Sequence, residues 1–280
     1  MAANTDDADM EVYFSGKKLY GNDFSPDQIG AWFTDEAEGY FNLTQSGDRE
    51  YAYGYHALNK RHGYSCLPKR RFGHVLGVGS AYGDELEPIL EWVDRISILE
   101  PSDGFENTAL SGVPVNYVKP VASGDIPFDS ASLDLITCLG VLHHIPNVSK
   151  LVNEFYRVLR PGGYALVREP IISMGDWRKP RTGLTKRERG IPLPTLRDFV
   201  KQAGFKVLRE RKCVFSLTSR LKHVVSGPVF NNLAVVALDA LLCSLPIWPK
   251  AYHARNAVQK LRPTAAYYVL QKPLLDGSEA

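Results

Sequence analysis

One stretch of the sequence decides the fold: Arg71-Phe72-Gly73-His74-Val75-Leu76-Gly77-Val78-Gly79-Ser80-Ala81-Tyr82-Gly83-Asp84. It begins with an apolar run of strand length, passes through a turn of small residues, and enters a helix-like segment over residues 85–93. Glycine suits this turn because a Cβ would block the approach of the backbone to a ligand, and because tight turns use positive φ. A strand, a glycine loop and a helix in this order are typical of nucleotide-binding folds, although α/β folds without a nucleotide also contain them.

Downstream of this stretch, apolar runs of strand length alternate with helical patterns. Alternation of this kind predicts an α/β, Rossmann-like fold with a mostly parallel, seven-stranded sheet and helices on both faces. The predicted strands cover residues 74–78, 95–99, 115–119, 133–138, 164–168, 205–214 and 265–271. The predicted helices between them cover residues 84–93, 148–159 and 195–203.

The remaining segments predict additions to a core domain at residues 67–280. Residues 1–10 are expected to be a flexible tail, and residues 11–66 an aromatic-rich helical cover. In that cover, Ser25 and Gln28 form a capping box at a helix start, and a second helix is predicted over residues 50–61. Residues 216–264 are predicted to be a helical insertion before the last strand, serving as a cap or as the contact of a homodimer.

Composition excludes several classes of protein. The 280 residues carry a formal net charge of only +2, so no global field favours nucleic acid as a partner. No apolar run reaches the length of a membrane-spanning helix, and the first residues lack the pattern of a signal peptide. The four cysteines show no metal-ligand spacing, which is typical of reduced thiols in a cytoplasmic protein.

Four blocks of the sequence, in order and in register, resemble the class I, Rossmann-like S-adenosylmethionine-dependent methyltransferases, in particular their broad small-molecule group. The resemblance extends over about residues 70–215 and implies S-adenosyl-L-methionine as the cofactor. A nicotinamide dehydrogenase is disfavoured because the third and fourth blocks have no role in it. The blocks are Val75-Leu76-Gly77-Val78-Gly79-Ser80-Ala81-Tyr82-Gly83, Ile96-Ser97-Ile98-Leu99-Glu100, Ile126-Pro127-Phe128 with Leu133-Asp134-Leu135-Ile136 and Val141-Leu142-His143-His144, and Glu154-Phe155-Tyr156-Arg157-Val158-Leu159-Arg160-Pro161-Gly162-Gly163-Tyr164.

The resemblance assigns a set of cofactor-binding residues. Glu100 follows the second strand, where an acid accepts hydrogen bonds from ribose hydroxyls, although a solvated acid at a strand end would have the same position. Ala122 lies in the loop expected over adenine, and Leu139 in the segment expected under the methionine end. The full set is Gly77, Val78, Gly79, Ser80, Gly83, Glu100, Ala122 and Leu139.

Two positions depart from the family pattern. Gly77 stands where relatives usually have an acid that orients the methionine end of the cofactor, and Ala81 stands where they have glycine. We expect another group to replace the missing acid, with the N-terminal segment as the place to look. A non-catalytic cofactor-binding protein is the alternative.

The histidine pair supplies the catalytic candidates. Methyl transfer to a hydroxyl requires the removal of a proton, and histidine is the side chain best suited to this near neutral pH. We predict His144 as the general base and His143 as the second candidate; alternatively, one or both cap or pack the helix that follows.

These features predict an O-methyltransferase that acts on a hydroxyl of a small polar acceptor, with a carbohydrate such as a mannoside favoured. Glu11, Tyr13 and Tyr20 are candidates for contacting that acceptor, although aromatic residues of this segment could equally form its own core. A quinol, a lipid or a natural product is the alternative acceptor, and the basic loop at residues 177–189 leaves an RNA methyltransferase open. A divalent metal such as Mg²⁺ is possible, but the acids form no readable ligand pattern.

Overall fold

The computed structural model describes residues 5–45, 53–105 and 107–274, with only the backbone described at 5–9, 37–45 and 223. Residues 5–10, expected as a tail, belong to the first helix, and residues 50–52 of the second expected helix lie outside the described ranges. The α-helices are α1 (Thr5–Phe14), α2 (Pro26–Gln45), α3 (His56–His62), α4 (Val148–Val158), α5 (Leu193–Gln202) and α6 (Leu233–Ser244). Short 3₁₀ helices cover Tyr64–Cys66, Asp84–Trp92, Leu142–His144, Thr218–His223, Val229–Asn231 and Val258–Lys260.

The described strands form one sheet in the order β3-β4-β2-β1-β5-β6-β8-β7. The five strands from β4 to β6 are parallel, whereas β8 runs antiparallel to both β6 and β7. The predicted Rossmann-like architecture is therefore confirmed, with eight strands instead of seven because a two-residue strand makes a hairpin with β4. The strands are β1 (Val75–Val78), β2 (Ile96–Leu99), β3 (Ala109–Leu110), β4 (Val113–Val118), β5 (Leu133–Leu139), β6 (Leu159–Pro170), β7 (Lys206–Phe215) and β8 (Pro263–Gln271).

The register of the central strands places their ends together. Val78 pairs with Leu99 of β2 on one side and with Cys138 of β5 on the other. The residues that follow these strands therefore meet at one edge of the sheet, where doubly wound folds bind their ligands.

Apolar helix faces cover the sheet. Val148, Leu151, Val152, Phe155 and Val158 of α4 are buried at helical spacing against it. The segment after the glycine loop, predicted as an ordinary helix, is instead a 3₁₀ helix from Asp84 to Trp92 with a proline at its centre. Proline lacks the N–H that an α-helix requires at this point, so the tighter winding is the physical consequence.

The segment between β7 and β8 is held to the sheet edge by a buried acid. The Asp239 carboxylate of α6 accepts hydrogen bonds from the N–H groups of Val214 (3.0 Å) and Phe215 (2.6 Å). Asn232 caps the same helix by accepting from the N–H groups of residues 234 and 235. Among the helices of the described ranges, none is both long enough and apolar enough to cross a membrane.

Candidate active site

Two adjoining cavities lie at the carboxyl edge of the parallel strands. Val78, Gly79 and Gly140 line both, so the glycine loop and the end of β5 form their common wall. We call them the outer and the inner cavity. The outer cavity is lined mainly by Ile29, Trp32, Phe33, Glu36, Glu100, Val121, Ala122, Val141, His144, Ile145 and Leu151. The inner cavity is lined mainly by Tyr53, Tyr55, Ser80, Ala81, Glu85, Leu139, His143 and Arg168.

The glycine loop keeps this common wall thin. Gly79 has φ of +59°, and a Cβ built on it would lie only 2.8 Å from both γ-carbons of Val141. Gly83 instead begins the 3₁₀ helix and packs against Ile98 and Leu110, outside both cavities. Gly77 lies within β1 and lines neither cavity. Of the three predicted glycines, only Gly79 directly borders both cavities.

The other predicted cofactor residues divide between the two cavities. Glu100 and Ala122 line the outer one, and Ser80 and Leu139 line the inner one. The Glu100 carboxylate, 2% exposed, accepts hydrogen bonds from the N–H groups of Ala81 (3.2 Å) and Ser102 (3.1 Å). Burial nonetheless holds its pKa above the ordinary value. The backbone bonds fix this acid at the end of β2, where the sequence predicted a ribose contact.

His143 is held as a cation between two carboxylates. Its Nδ1 lies 2.8 Å from Oε2 of Glu169 and its Nε2 lies 3.3 Å from Oε1 of Glu188. Burial opposes the charged form, but the hydrogen bonds to both acids outweigh it and raise the pKa of His143 to about 9. Glu169 also accepts N–H bonds from residues 141, 142 and 143, so it caps the short helix that carries both histidines. A protonated His143 cannot accept a proton near neutral pH.

His144 faces the outer cavity with a different partner. Its Nδ1 lies 2.8 Å from Oε2 of Glu36, which fixes the proton on Nδ1 and leaves the lone pair on Nε2. Burial lowers the pKa of His144, and the neighbouring charge of His143 lowers it further. Because this imidazole is neutral near pH 7, it has the state that a general base needs. The geometry thus favours the first of the two predicted candidates.

The wall opposite His144 comes from α2. Ile29, Trp32, Phe33 and Glu36 follow one another at helical spacing and line the outer cavity. The Trp32 indole N–H donates to the carbonyl of His144 at 2.6 Å, so α2 is bonded directly to the short helix that carries both histidines. The helical spacing of these residues is visible in the sequence, but their position in the wall of a cavity is not.

The predicted acceptor residues lie elsewhere. Glu11 forms an ion pair with Arg255 at 2.6 Å, with both side chains more than half exposed. Tyr20 stacks on Trp177 with ring centroids 5.4 Å apart, and Tyr13 packs edge-on against Tyr20. None of the three lines either cavity. The two tyrosines instead pack against a cluster formed by Phe14, Trp177 and Tyr252, which agrees with the interpretation of the aromatic residues as core.

Arg181, Arg187 and Arg189 of the basic loop at residues 177–189 are partly or fully buried. Arg189 is fully buried and donates to the carbonyl groups of Tyr20, Leu142, His143 and Ile145. Arg187 pairs with Asp35 of α2 at 2.6 Å. These bonds join α2 to the short helix that carries both histidines, so Arg187 and Arg189 have structural roles beside the site, whereas Arg178 and Lys186 are exposed.

One group of described residues could hold a metal ion, with ligand atoms of His143, His144 and Glu188 within 4.8 Å of one another. Mg²⁺ prefers oxygen ligands, whereas two of these three groups are imidazoles. Both ring nitrogens of His143 are also engaged by carboxylates. This donor set does not fit Mg²⁺, and we assign no catalytic step to a metal.

Comparisons with known proteins agree with this geometry. Residues 76–167 match the family model described as "Methyltransferase domain". The chain is 29% identical over 129 residues to the ubiquinone/menaquinone biosynthesis C-methyltransferase of Idiomarina loihiensis, covering 42% of this chain and 51% of that protein. It is 35% identical over 66 residues to the ubiquinone biosynthesis O-methyltransferase of Shewanella pealeana, covering 23% of this chain and 28% of that protein. The chain thus spans about half, or less, of the length of these curated relatives.

A solved structure shows the same fold. The S-adenosylmethionine-dependent methyltransferase from Mesorhizobium loti superposes with a TM-score of 0.50 at 14% identity, covering 74% of this chain and 94% of that one. Residues 76–167 therefore match a methyltransferase domain, and the fold of the chain is that of S-adenosylmethionine-dependent methyltransferases.

Proposed function

We propose that this chain transfers a methyl group from S-adenosyl-L-methionine to a hydroxyl of a small acceptor bound in the part of the outer cavity between α2 and His144, while Glu100 and Ala122 of the same cavity would hold the adenosine of the cofactor. The observation that carries the proposal is the pairing of His144 with Glu36 in that cavity, next to the thin wall at Gly79. The cofactor supplies an activated methyl group. With the cofactor bound, the acceptor oxygen would take the methyl group as the bond from methyl carbon to sulfur breaks, and S-adenosylhomocysteine would leave. Nε2 of His144 accepts the hydroxyl proton, and Glu36 stabilises the imidazolium that forms.

The walls of the outer cavity favour an apolar, ring-shaped acceptor. Trp32, Phe33, Val121, Val141 and Ile145 supply flat or branched apolar surfaces, and the polar groups of Glu36 and His144 are confined to one side. A quinol has an aromatic ring with hydroxyls on its rim, which matches this distribution. The relatives named for ubiquinone and menaquinone biosynthesis support the same choice. We therefore favour a quinol over the carbohydrate expected from the sequence.

A transfer assay with labelled S-adenosylmethionine tests the proposal. The acceptors are a short-chain quinol, a catechol, a panel of mono- and disaccharides, and RNA, each with and without chelator. We expect label in the quinol and catechol, with no effect of chelator. Label in the saccharides alone would restore the carbohydrate acceptor, and label in RNA alone would contradict the inward role of the basic loop. Failure to bind S-adenosylhomocysteine in calorimetry would instead indicate a non-catalytic protein.

We also propose that α6 forms the contact of a homodimer. Leu233, Leu238 and Leu241 on its outward face are 74%, 44% and 62% exposed, which is unusual for leucines on one helix. A second copy of the same face would cover them through a two-fold contact. Sedimentation should show a dimer that Leu241→Lys converts to a monomer; a monomeric wild-type chain would contradict this contact.

A further inference from the structure

The inner cavity holds two buried charged side chains of opposite sign. Glu85 and Arg168 line it and are only 4% and 7% exposed. Arg168 donates to Oδ1 of Asn59 (3.0 Å) and to the carbonyl of Leu139 (3.3 Å), and its guanidinium lies 3.9 Å above the ring of Tyr55. Among the residues that the structure describes, neither Glu85 nor Arg168 forms a salt bridge. Arg168 is therefore a buried charge without a counter-charge, and burial raises the pKa of Glu85 to about 7. A ligand that carries both a cation and an anion would stabilise the charged forms of both side chains.

Glu85 occupies the space beside the position that lacks an acid. A Cβ on Gly77 would lie 3.3 Å from Oε1 of Glu85. The Glu85 carboxylate therefore lies next to the place where a side chain at position 77 would begin. Thr137, the register partner of Gly77 on β5, donates to the same oxygen at 3.3 Å. The carboxylate thus reaches back from the 3₁₀ helix to the end of β1.

The N-terminal cover fixes this arrangement from the other side. The hydroxyl of Tyr64 donates to the carbonyl oxygen of Glu85 at 2.7 Å. Asn59, which holds Arg168, also donates to the hydroxyl of Tyr53 at 2.7 Å. We expected a group of the N-terminal cover to replace the missing acid. The cover instead supplies Tyr64 and Asn59, which hold Glu85 and Arg168 in position.

We propose that Glu85 binds the α-ammonium group and Arg168 the α-carboxylate of the methionine end of the cofactor, so that Glu85 replaces the acid absent at Gly77. This inference rests on the cofactor of the proposed function. An α-amino acid head carries both charges on one carbon, and it is the simplest ligand that satisfies both side chains at once. Charge-assisted hydrogen bonds in a buried site make this recognition strong.

Calorimetry with ligands that keep the adenosine and differ at the head group tests the inference, with S-adenosylmethionine as the reference for its decarboxylated form because both are sulfonium ions. S-adenosylhomocysteine carries both charges, decarboxylated S-adenosylmethionine lacks the carboxylate, and 5′-methylthioadenosine lacks the whole head. We expect Glu85→Gln to weaken S-adenosylhomocysteine binding by about 10- to 100-fold, the effect of a lost charge-assisted bond, while 5′-methylthioadenosine binds as before. Arg168→Gln should weaken S-adenosylhomocysteine but spare the decarboxylated ligand. The matched control is Glu91→Gln, an exposed acid on the same 3₁₀ helix.

The outcomes separate this inference from the proposed function. If the wild-type chain binds neither S-adenosylhomocysteine nor 5′-methylthioadenosine, the proposed function fails. If it binds both, and Glu85→Gln weakens neither or weakens both equally, only the inference fails. Should the variants not fold, the wild-type chain alone decides: we expect it to prefer S-adenosylhomocysteine over 5′-methylthioadenosine by at least about 10-fold, and equal affinities overturn the inference.

Discussion

The inner and outer cavities share the wall at Gly79 but differ in how the chain builds them. The inner cavity has opposite charges on its walls, and its glycine loop and strand ends belong to one recognisable set of motifs. The outer cavity has mainly apolar walls and one polar corner, and that corner joins α2, the histidine segment and the loop at residues 185–189. Under the two proposals above, the inner cavity recognises the charged methionine end of the cofactor. The outer cavity recognises the shape of the acceptor and is the place of proton transfer.

The largest expected effect is a loss of turnover from a change in the outer cavity alone. His144→Ala removes the proposed base, so we expect turnover to fall by about 10²- to 10⁴-fold while the dissociation constant for S-adenosylhomocysteine stays within about twofold. Turnover and calorimetry on the same preparation measure both quantities. His56→Ala, which removes a histidine outside both cavities, is the control. Equal losses of turnover and cofactor affinity would show that His144 has a structural role.

The sequence predicted the residues at the strand ends better than the walls that distant segments supply, and the reason is physical. Gly79, Ser80 and Leu139 follow strands whose ends must meet, and the order of the strands was readable from alternating patterns. By contrast, the hydrogen bond from Thr185 to Glu36 joins residues 149 positions apart, and the bond from Trp32 to His144 joins residues 112 apart. No local pattern encodes such a pairing, so the sequence alone does not show that Trp32 and Phe33 of α2 line a cavity.

Glu85 shows the same limit within a motif. The loss of an acid at Gly77 was visible as a departure from the family, but its replacement depends on the path of the 3₁₀ helix. Pro88 lies at the centre of that helix and forces a tighter winding than the predicted α-helix. Glu85 lies in the first turn of that helix, and its contact with Thr137 joins residues 52 positions apart, which no local pattern predicts.

A second expected effect concerns the stability that His143, beside the inner cavity, confers on the folded chain. The pKa of His143 is raised to about 9 in the folded chain, so the folded state binds this proton more tightly than the unfolded state does. The resulting stabilisation is fully present below the ordinary pKa of 6.5 and is lost as the pH rises through about 9. It is on the order of 3 kcal/mol.

Urea unfolding of the wild-type chain and His143→Gln measures this stabilisation. We expect the difference in unfolding free energy between the two to be largest near about pH 6 and to narrow by about pH 10. The comparison cancels the contributions of other titrating groups that both chains share. A difference that stays constant across this range would mean that His143 is neutral in the folded chain.

A third, smaller effect concerns the common wall. Gly79→Ala places a methyl group 2.8 Å from Val141 at a φ of +59°, so we expect S-adenosylhomocysteine affinity to fall by about 10-fold. Gly183→Ala is the matched control, because Gly183 has φ of +72° and nothing within 4 Å of the added Cβ. Both variants carry backbone strain of about 1–3 kcal/mol. If both lose the same affinity, strain rather than the narrow wall explains the loss.

The smallest expected effect couples the two histidines, and it appears in the pH dependence of kcat/KM. Burial and then the charge of His143 lower the pKa of His144, so activity should fall on acidification with a midpoint below 6.5. His143→Gln removes the positive neighbour whose ring centroid lies 4.1 Å away and leaves the negative charge of Glu188 in place. Both changes favour the protonated form of His144, so the acid limb should move to higher pH even where the maximal rate also declines. An acid limb that stays in place would show that the titrating base is a group other than His144, and a shift to lower pH would show that His143 carries no charge in the native site.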